Sequence, residues 1–568
     1  MLFYIKTFFI FIFLLTGIVK AQNLIHPLIQ TEKFLSGSFA ELRANHFHAG
    51  VDYKTGGKEG TPLVAIEDAT VINISVSPTG YGNCIKLRLK NGLIAVYGHL
   101  SKYEPTLAKE VLDKQYEMKS FSVNFAPKTK INFKKGEIIG YSGNSGGSGG
   151  PHLHFELRNK KGYILNPSNY GYVVPDNIPP TINILAIYPQ EIMSCLYGNI
   201  DEPMFFNVLN ANGRLSLDKD TIFFFGRAAF GIDAFDRANG QTNHLGLYEM
   251  QVHIDDLLVF AWRLDSVDNE KAIDINAFID YDTYINKGKR FQWTKILQGN
   301  RLDIYNVAID SGIFDFLTDG VKKVSVTAAD FAGNKSILTF FVKTNSAEGM
   351  HIANINYDVD TLINYKENFS YKDDDFAINI DKESLYQNLP FYHCIVDELK
   401  GLYSTPIKIL SAGIPINKYY KIAIKPISLP ENLKNKALVV YIDDKGSISS
   451  AGGKYNKGYV NTEVRKFGIF AVGIDTVSPK IIPLNIQKNT IPITQDIIRI
   501  KATDDFSGIS RYAASIDGEW FLMEYDKKNN LFIGDIKTQK ISKGQHKFEF
   551  VVSDEKQNKT VYKATINR

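Results

Sequence analysis

The stretch Gly-Pro-His-Leu-His-Phe-Glu-Leu-Arg at 150–158 alternates polar and apolar residues with a period of two, the signature of an extended strand. In that conformation His152, His154 and Glu156 share one face, and Leu153, Phe155 and Leu157 share the other. The apolar face anchors the strand and leaves the polar face for chemistry. The same alternation returns at 69–77 and 84–100. Asn91-Gly92 divides the second run, and this dipeptide tolerates positive φ, so Cys84–Leu89 and Leu93–Gly98 are predicted to form an antiparallel hairpin. His99 then emerges at the end of the return strand.

One helix is predicted around 106–120, followed by an irregular stretch at 124–130, which makes the connection 101–135 a rim or lid over the site. Four prolines in 166–180 read as a linker. Beyond it come short strands with almost no helical periodicity, and the expected fold class is mainly β. A weak repeat runs through this half: 179–189 resembles 478–488, 231–256 resembles 500–519, and 319–342 resembles 543–566. Two immunoglobulin-like β-sandwiches account for it, the first enlarged by an insertion near 257–310. The expected boundaries are 1–21, 22–175, 176–345, 346–475 and 476–568, with 346–475 a β-rich unit of unknown type. Acidic turns at Asp233–Asp236, Asp330 and Asp504-Asp505 lack EF-hand spacing and read as solvated hairpin loops.

Residues 1–21 place Lys6 before an apolar run from Thr7 to Val19 and end on the small residue Ala21. This is the pattern of a cleaved export signal, and the run is too short for a comfortable bilayer span. No later segment reads as transmembrane. The formal charge is +4, and near +2 once Lys6 and Lys20 are removed, too weak an excess to indicate nucleic acid. Three cysteines without CxxC spacing exclude a disulfide scaffold.

Five of the 11 histidines fall between residues 46 and 154, in NHFHAGVD, YGHL and GPHLHFEL. His48 and Asp52, four residues apart, point to one side of a strand or a helical turn. One histidine of the HLH strand completes a set of two nitrogens and one oxygen, which leaves zinc a fourth position for water. Water bound there, with a pKa near 7, is a nucleophile at neutral pH. His46 reads as a surface or supporting residue, and Glu156 as an ordinary strand-end carboxylate. The glycine-rich stretch ahead of His152 lacks the GK[ST] ending of a phosphate-binding loop and reads as a turn.

Together His48-x-x-x-Asp52, the Gly-His99-Leu motif and His152-Leu-His154 resemble the lysostaphin/LytM-type zinc metallopeptidases, the M23 family. GTPLVAIEDATV (60–71), YGNCIKL (81–87) and KKGEIIGYSGNSGGSGG (134–150) support the likeness, which covers about 36–170. The resemblance implies an antiparallel β peptidase domain in which His48, Asp52 and His154 hold Zn2+ and His99 and His152 are catalytic. It implies an exported endopeptidase acting on peptidoglycan cross-links or stem peptides in the periplasm or envelope of a Gram-negative bacterium. The connection after His99 is longer than the family pattern. Two other readings stand beside this one: a non-catalytic LytM-type regulator of other wall hydrolases, and a surface protein binding partners through its β-sandwiches.

Overall fold

The computed structural model describes residues 24–29, 33–190, 194–196, 202–344, 361–397, 399–538 and 541–568. The expected export signal at 1–21 lies outside them. Among the described residues no helix is long and apolar enough to cross a membrane. The described residues are 47% strand and 9% helix, which makes the fold mainly β.

The amino-terminal sheet is antiparallel and contains β1 (Leu35–Gly37), β2 (Val51–Lys54), β3 (Ala69–Val76), β4 (Cys84–Leu89), β5 (Ile94–Gly98) and β6 (His152–Arg158). Their spatial order is β1-β2-β6-β5-β4-β3, so β6 runs through the middle between β2 and β5. The hairpin of β4 and β5 forms at Asn91-Gly92, where Gly92 takes a φ of 88°. Leu153, Phe155 and Leu157 are fully enclosed, as the alternation predicts.

Helix α1 (Pro105–Met118) also forms where expected, with Glu104 accepting bonds from the backbone N–H groups of Thr106 and Leu107. The irregular stretch after it is partly a strand instead, since Val123–Phe125 pairs with β3. Nor is this connection a lid. Helix α1 faces the carboxy-terminal unit, to which Tyr116 is joined through Trp520, ring centroids 5.1 Å apart, and Thr538 Oγ1 at 3.1 Å. Phe121 packs against the same unit's core.

The segments matched by the internal repeat make the same ladders. Thr181–Pro189 pairs with Thr221–Phe235 as Lys480–Pro483 pairs with Ile497–Thr503. Both copies close on a long hairpin, Gly320–Ala329 with Lys335–Thr344 and Gln545–Asp554 with Lys559–Asn567. Between them, 361–475 builds two five-stranded sheets around a separate core. The acidic turns are solvated only in part: Asp236 and Asp330 are buried, contrary to expectation, Asp233 and Asp504 are half-buried, and Asp505 is exposed as expected. Asp330 and Asp554 close their hairpins by accepting bonds from the backbone and side chain of Asn334 and Asn558.

The amino-terminal sheet does not stand apart from the next unit. One continuous core runs from Leu28 to Val342, and Tyr163–Leu165, paired with β6, also pairs with Ser266–Asp268 of the insertion. The proline-rich stretch is packed into this junction through Tyr172, whose ring meets that of Phe155. Close backbone approach makes Gly50, just before β2, a point of constraint: a Cβ there would lie 2.2 Å from the Phe155 carbonyl oxygen. Gly50→Ala is expected to destabilise this unit by about 3 kcal/mol, the upper range for overpacking, read as a lowered urea midpoint.

Candidate active site

Strands β2 and β6 lie in register with His154 opposite Asp52, and β5 on the other side ends at Gly98, opposite His154 again. That pairing brings together residues about a hundred positions apart in the chain. His48 enters from the turn before β2. Its Nε2 lies 3.0 Å from Asp52 Oδ1 and 3.1 Å from His154 Nδ1, and His154 Nδ1 lies 2.8 Å from the same Asp52 oxygen. All three side chains are buried.

Each imidazole is oriented by a bond on its far side. His48 donates through Nδ1 to the Ser38 carbonyl at 2.7 Å, and His154 through Nε2 to Glu156 Oε1 at 2.9 Å. His99 donates through Nδ1 to the Ser145 carbonyl at 2.8 Å, and His152 through Nδ1 to the Gly150 carbonyl at 2.8 Å. An imidazole that donates through one nitrogen keeps the lone pair of the other for a cation or a proton. Two inward nitrogens and a carboxylate oxygen are the donor set zinc takes, and the outward bonds are those that hold metal ligands in place. The residues present therefore fit a divalent ion of that kind.

His99 and His152 stand beside this cluster, ring centroids 4.8 Å apart, with His152 Nε2 3.4 Å from Asp52 Oδ1. His99 has a φ of 62°, a left-handed conformation uncommon for a residue with a Cβ. Its backbone N–H is held by the Tyr81 carbonyl. Burial, helped by the neighbouring His154 and His152, lowers the His99 pKa to about 3, so this ring is neutral at physiological pH. Burial also opposes charge on His154, but the bonds to Asp52 and Glu156 prevail and raise it to about 9. Asp52 is buried too, yet the surrounding histidines hold its carboxyl well below the ordinary range.

Glu156 is more than a strand-end carboxylate. It is completely buried, accepts from His154, from Tyr81 Oη at 2.6 Å and from Arg158 Nε at 2.6 Å, and its pKa falls to about 2: burial opposes this, and His154 and Arg158 outweigh it. Its place two residues after His154 on the same face was the available signal. Arg43, whose Nη2 lies 3.3 Å from Asp52 Oδ2, carried no such signal. His46 is exposed on the cleft wall with Nδ1 2.8 Å from Asn45 Oδ1, away from the ligand cluster.

The glycine-rich loop at 144–150 is required by close approach. Gly82 and Gly146 both have positive φ, and a Cβ on either would lie within 2.6 Å of the other's backbone. This contact sets the Ser145 and Gly150 carbonyls against His99 and His152. The loop is also held from outside, because Lys528 of the carboxy-terminal unit donates to the carbonyls of Asn144 and Ser148. The cluster opens into a cleft of about 800 Å3 whose far wall comes from residues 269–273 of the insertion and from Arg465. No residue of the connection 101–135 lines it.

Residues 46–167 match peptidase family M23. The chain carries an M23 metallopeptidase domain. Residues 360–475 match a Zu5-like domain, which gives a type to the stretch that the sequence alone left without one. Over 157 residues the chain is 31% identical to the DD-carboxypeptidase/endopeptidase Mpg of Neisseria meningitidis serogroup B, an overlap of 27% of this chain and 30% of that protein. It is 33% identical over 110 residues to the glycyl-glycine endopeptidase ALE-1 of Staphylococcus capitis, covering 19% of this chain and 24% of that one. The chain thus spans less than a third of the length of these relatives. Among solved structures, the catalytic domain of the prophage-encoded M23 protein EnpA from Enterococcus faecalis is 27% identical, covering 26% of this chain and 96% of that one with a TM-score of 0.20.

Two outcomes follow from the geometry of the M23 site. A metal ion must displace the proton that His154 carries below pH 9. Metal binding at pH 7 is therefore expected to release about one proton from this residue, and affinity to climb with pH until about 9; calorimetry in buffers of different ionisation enthalpy reads both. Lys528→Ala is expected to speed amide exchange in 144–150 by about threefold to tenfold, the equivalent of one lost hydrogen bond.

Proposed function

We propose that the protein is an exported, zinc-dependent endopeptidase that hydrolyses peptide bonds in the cross-links or stem peptides of peptidoglycan. The observation that carries this reading is the convergence of His48 Nε2, Asp52 Oδ1 and His154 Nδ1 within 2.8–3.1 Å of one another beneath an open cleft. The names of the Neisseria and Staphylococcus relatives, both endopeptidases, support the class of reaction. In this reading His48, Asp52 and His154 hold the zinc, which supplies Lewis acidity toward water and the scissile carbonyl.

The chain's own residues do the rest. Glu156 and the Ser38 carbonyl fix the two ligand rings, and the negative charge of Glu156 strengthens donation from His154. His99 and His152 present a nitrogen to the cleft while their Nδ1 groups are tied to the glycine-rich loop. His99, held neutral by burial, offers its free nitrogen to the cleft as a hydrogen-bond acceptor for water, and His152 is suited to accept a proton or, when charged, to stabilise a developing oxyanion. The domain division follows as 1–21 signal, 22–175 peptidase, 176–345 sandwich with insertion, 346–475 Zu5-like unit and 476–568 sandwich, with the chain at work in the periplasm or envelope of a Gram-negative cell. The β-units offer surfaces for protein partners.

The test is release of soluble fragments from cross-linked peptidoglycan, with zinc content measured on the same preparations. The wild-type chain is expected to hold about one zinc and release fragments. His154→Ala is expected to lose both metal and activity. His152→Ala is expected to keep its metal and lose at least about a hundredfold in rate, the smallest effect usual for a lost acid or base. A fully metallated wild type that releases nothing would overturn the reading.

A further inference from the structure

Two arginines line the cleft above the ligand cluster, and they differ in what surrounds them. Arg43 is committed, with Nη2 3.3 Å from Asp52 and Nη1 3.5 Å from Glu41. Arg465 is not. It follows the strand Tyr459–Val464 of the Zu5-like unit and is half-buried, and its guanidinium makes no ion pair or hydrogen bond among the described residues. It packs over the Tyr419 ring, 5.2 Å from the centroid, and its charge also reaches the hydroxyls of Tyr281 and Tyr386.

The nearby acids do not neutralise it. Asp274, buried under the cleft wall, is held by two 2.8 Å bonds from Arg301 and a 3.0 Å bond from Tyr386 Oη. Glu270 lines the same cleft but is exposed and forms no ion pair with Arg465. A half-desolvated guanidinium facing a cleft, stacked on an aromatic ring and left without a carboxylate, has its planar fork of donors available to a ligand.

Building on the hydrolase reading, we propose that Arg465 binds a free carboxylate of the peptide substrate, so that the Zu5-like unit selects anionic peptides for the M23 site. Peptides lacking a carboxylate at that position would enter the cleft and leave the guanidinium unpaired.

The test uses one dimeric stem-peptide fragment in two forms, with free carboxylates and fully carboxamidated. Binding is measured by calorimetry on the full metal-loaded chain carrying His152→Ala, so the result does not depend on turnover. The free-acid form is expected to bind about tenfold tighter, the equivalent of one charge-assisted hydrogen bond. Adding Arg465→Gln is expected to abolish that ratio, Arg465→Lys to keep part of it, and Arg465→Glu to invert it. Equal affinity for the two forms, or a ratio that survives Arg465→Gln, would overturn the proposal, as would equal loss of both affinities in all three variants. An arginine-dependent preference in a chain whose wild type cleaves neither form would sustain the proposal and sink the hydrolase reading alone.

Discussion

The carboxylate of Asp52 is the point on which the buried histidine cluster converges. One of its oxygens lies within 3.4 Å of a ring nitrogen of His48, His152 and His154, while Arg43 approaches the other. A buried anion is costly unless it is surrounded by donors or a cation. Here the pairing of β2 with β6 supplies two of those rings, and the turn before β2 supplies the third. Glu156 adds a second buried carboxylate behind His154, so the central ring lies between two negative charges. Such an arrangement favours a cation over an empty centre, and a bound metal or a proton on His154 meets the same demand.

Around this centre the chain uses its later segments as walls. The insertion in the first repeated unit is joined to β6 through Tyr163–Leu165 and forms one side of the cleft. The Zu5-like unit contributes Arg465, and the last unit reaches helix α1 and the glycine-rich loop. The cleft of the M23 domain is therefore shared with two later regions, the insertion and the Zu5-like unit, while the last unit braces the glycine-rich loop from outside.

Much of the site was legible in the sequence because its residues obey short-range rules. Two-residue alternation placed His152, His154 and Glu156 on one face, and Asn91-Gly92 fixed the hairpin that delivers His99. The convergence of His48, Asp52 and His154 agrees with the resemblance. Side chains and walls that depend on distant packing were not legible. Arg43, Ser38 and Arg465 are placed at the site by the fold, and nothing in their neighbouring residues distinguishes them; Tyr81 stands in the YGNCIKL motif, but its bond to Glu156 had no signal there. Glu156 was underrated because strand position alone does not reveal complete burial. The lid reading of 101–135 failed for the same reason: an amphipathic helix next to a site is a lid or a docking platform according to what lies against it, and what lies against it comes from more than 400 residues later.

Lys528 reaches the Ser148 carbonyl across 380 positions of sequence. A ribosome that has finished the glycine-rich loop must therefore add most of the remaining chain before that loop meets its outer support. The two histidines oriented by the loop gain this support only when the final unit has folded back against α1. A chain ending before Lys528 would possess every ligand and the loop's own glycine contacts but lack this outer brace, so the last unit steadies a site that it does not line.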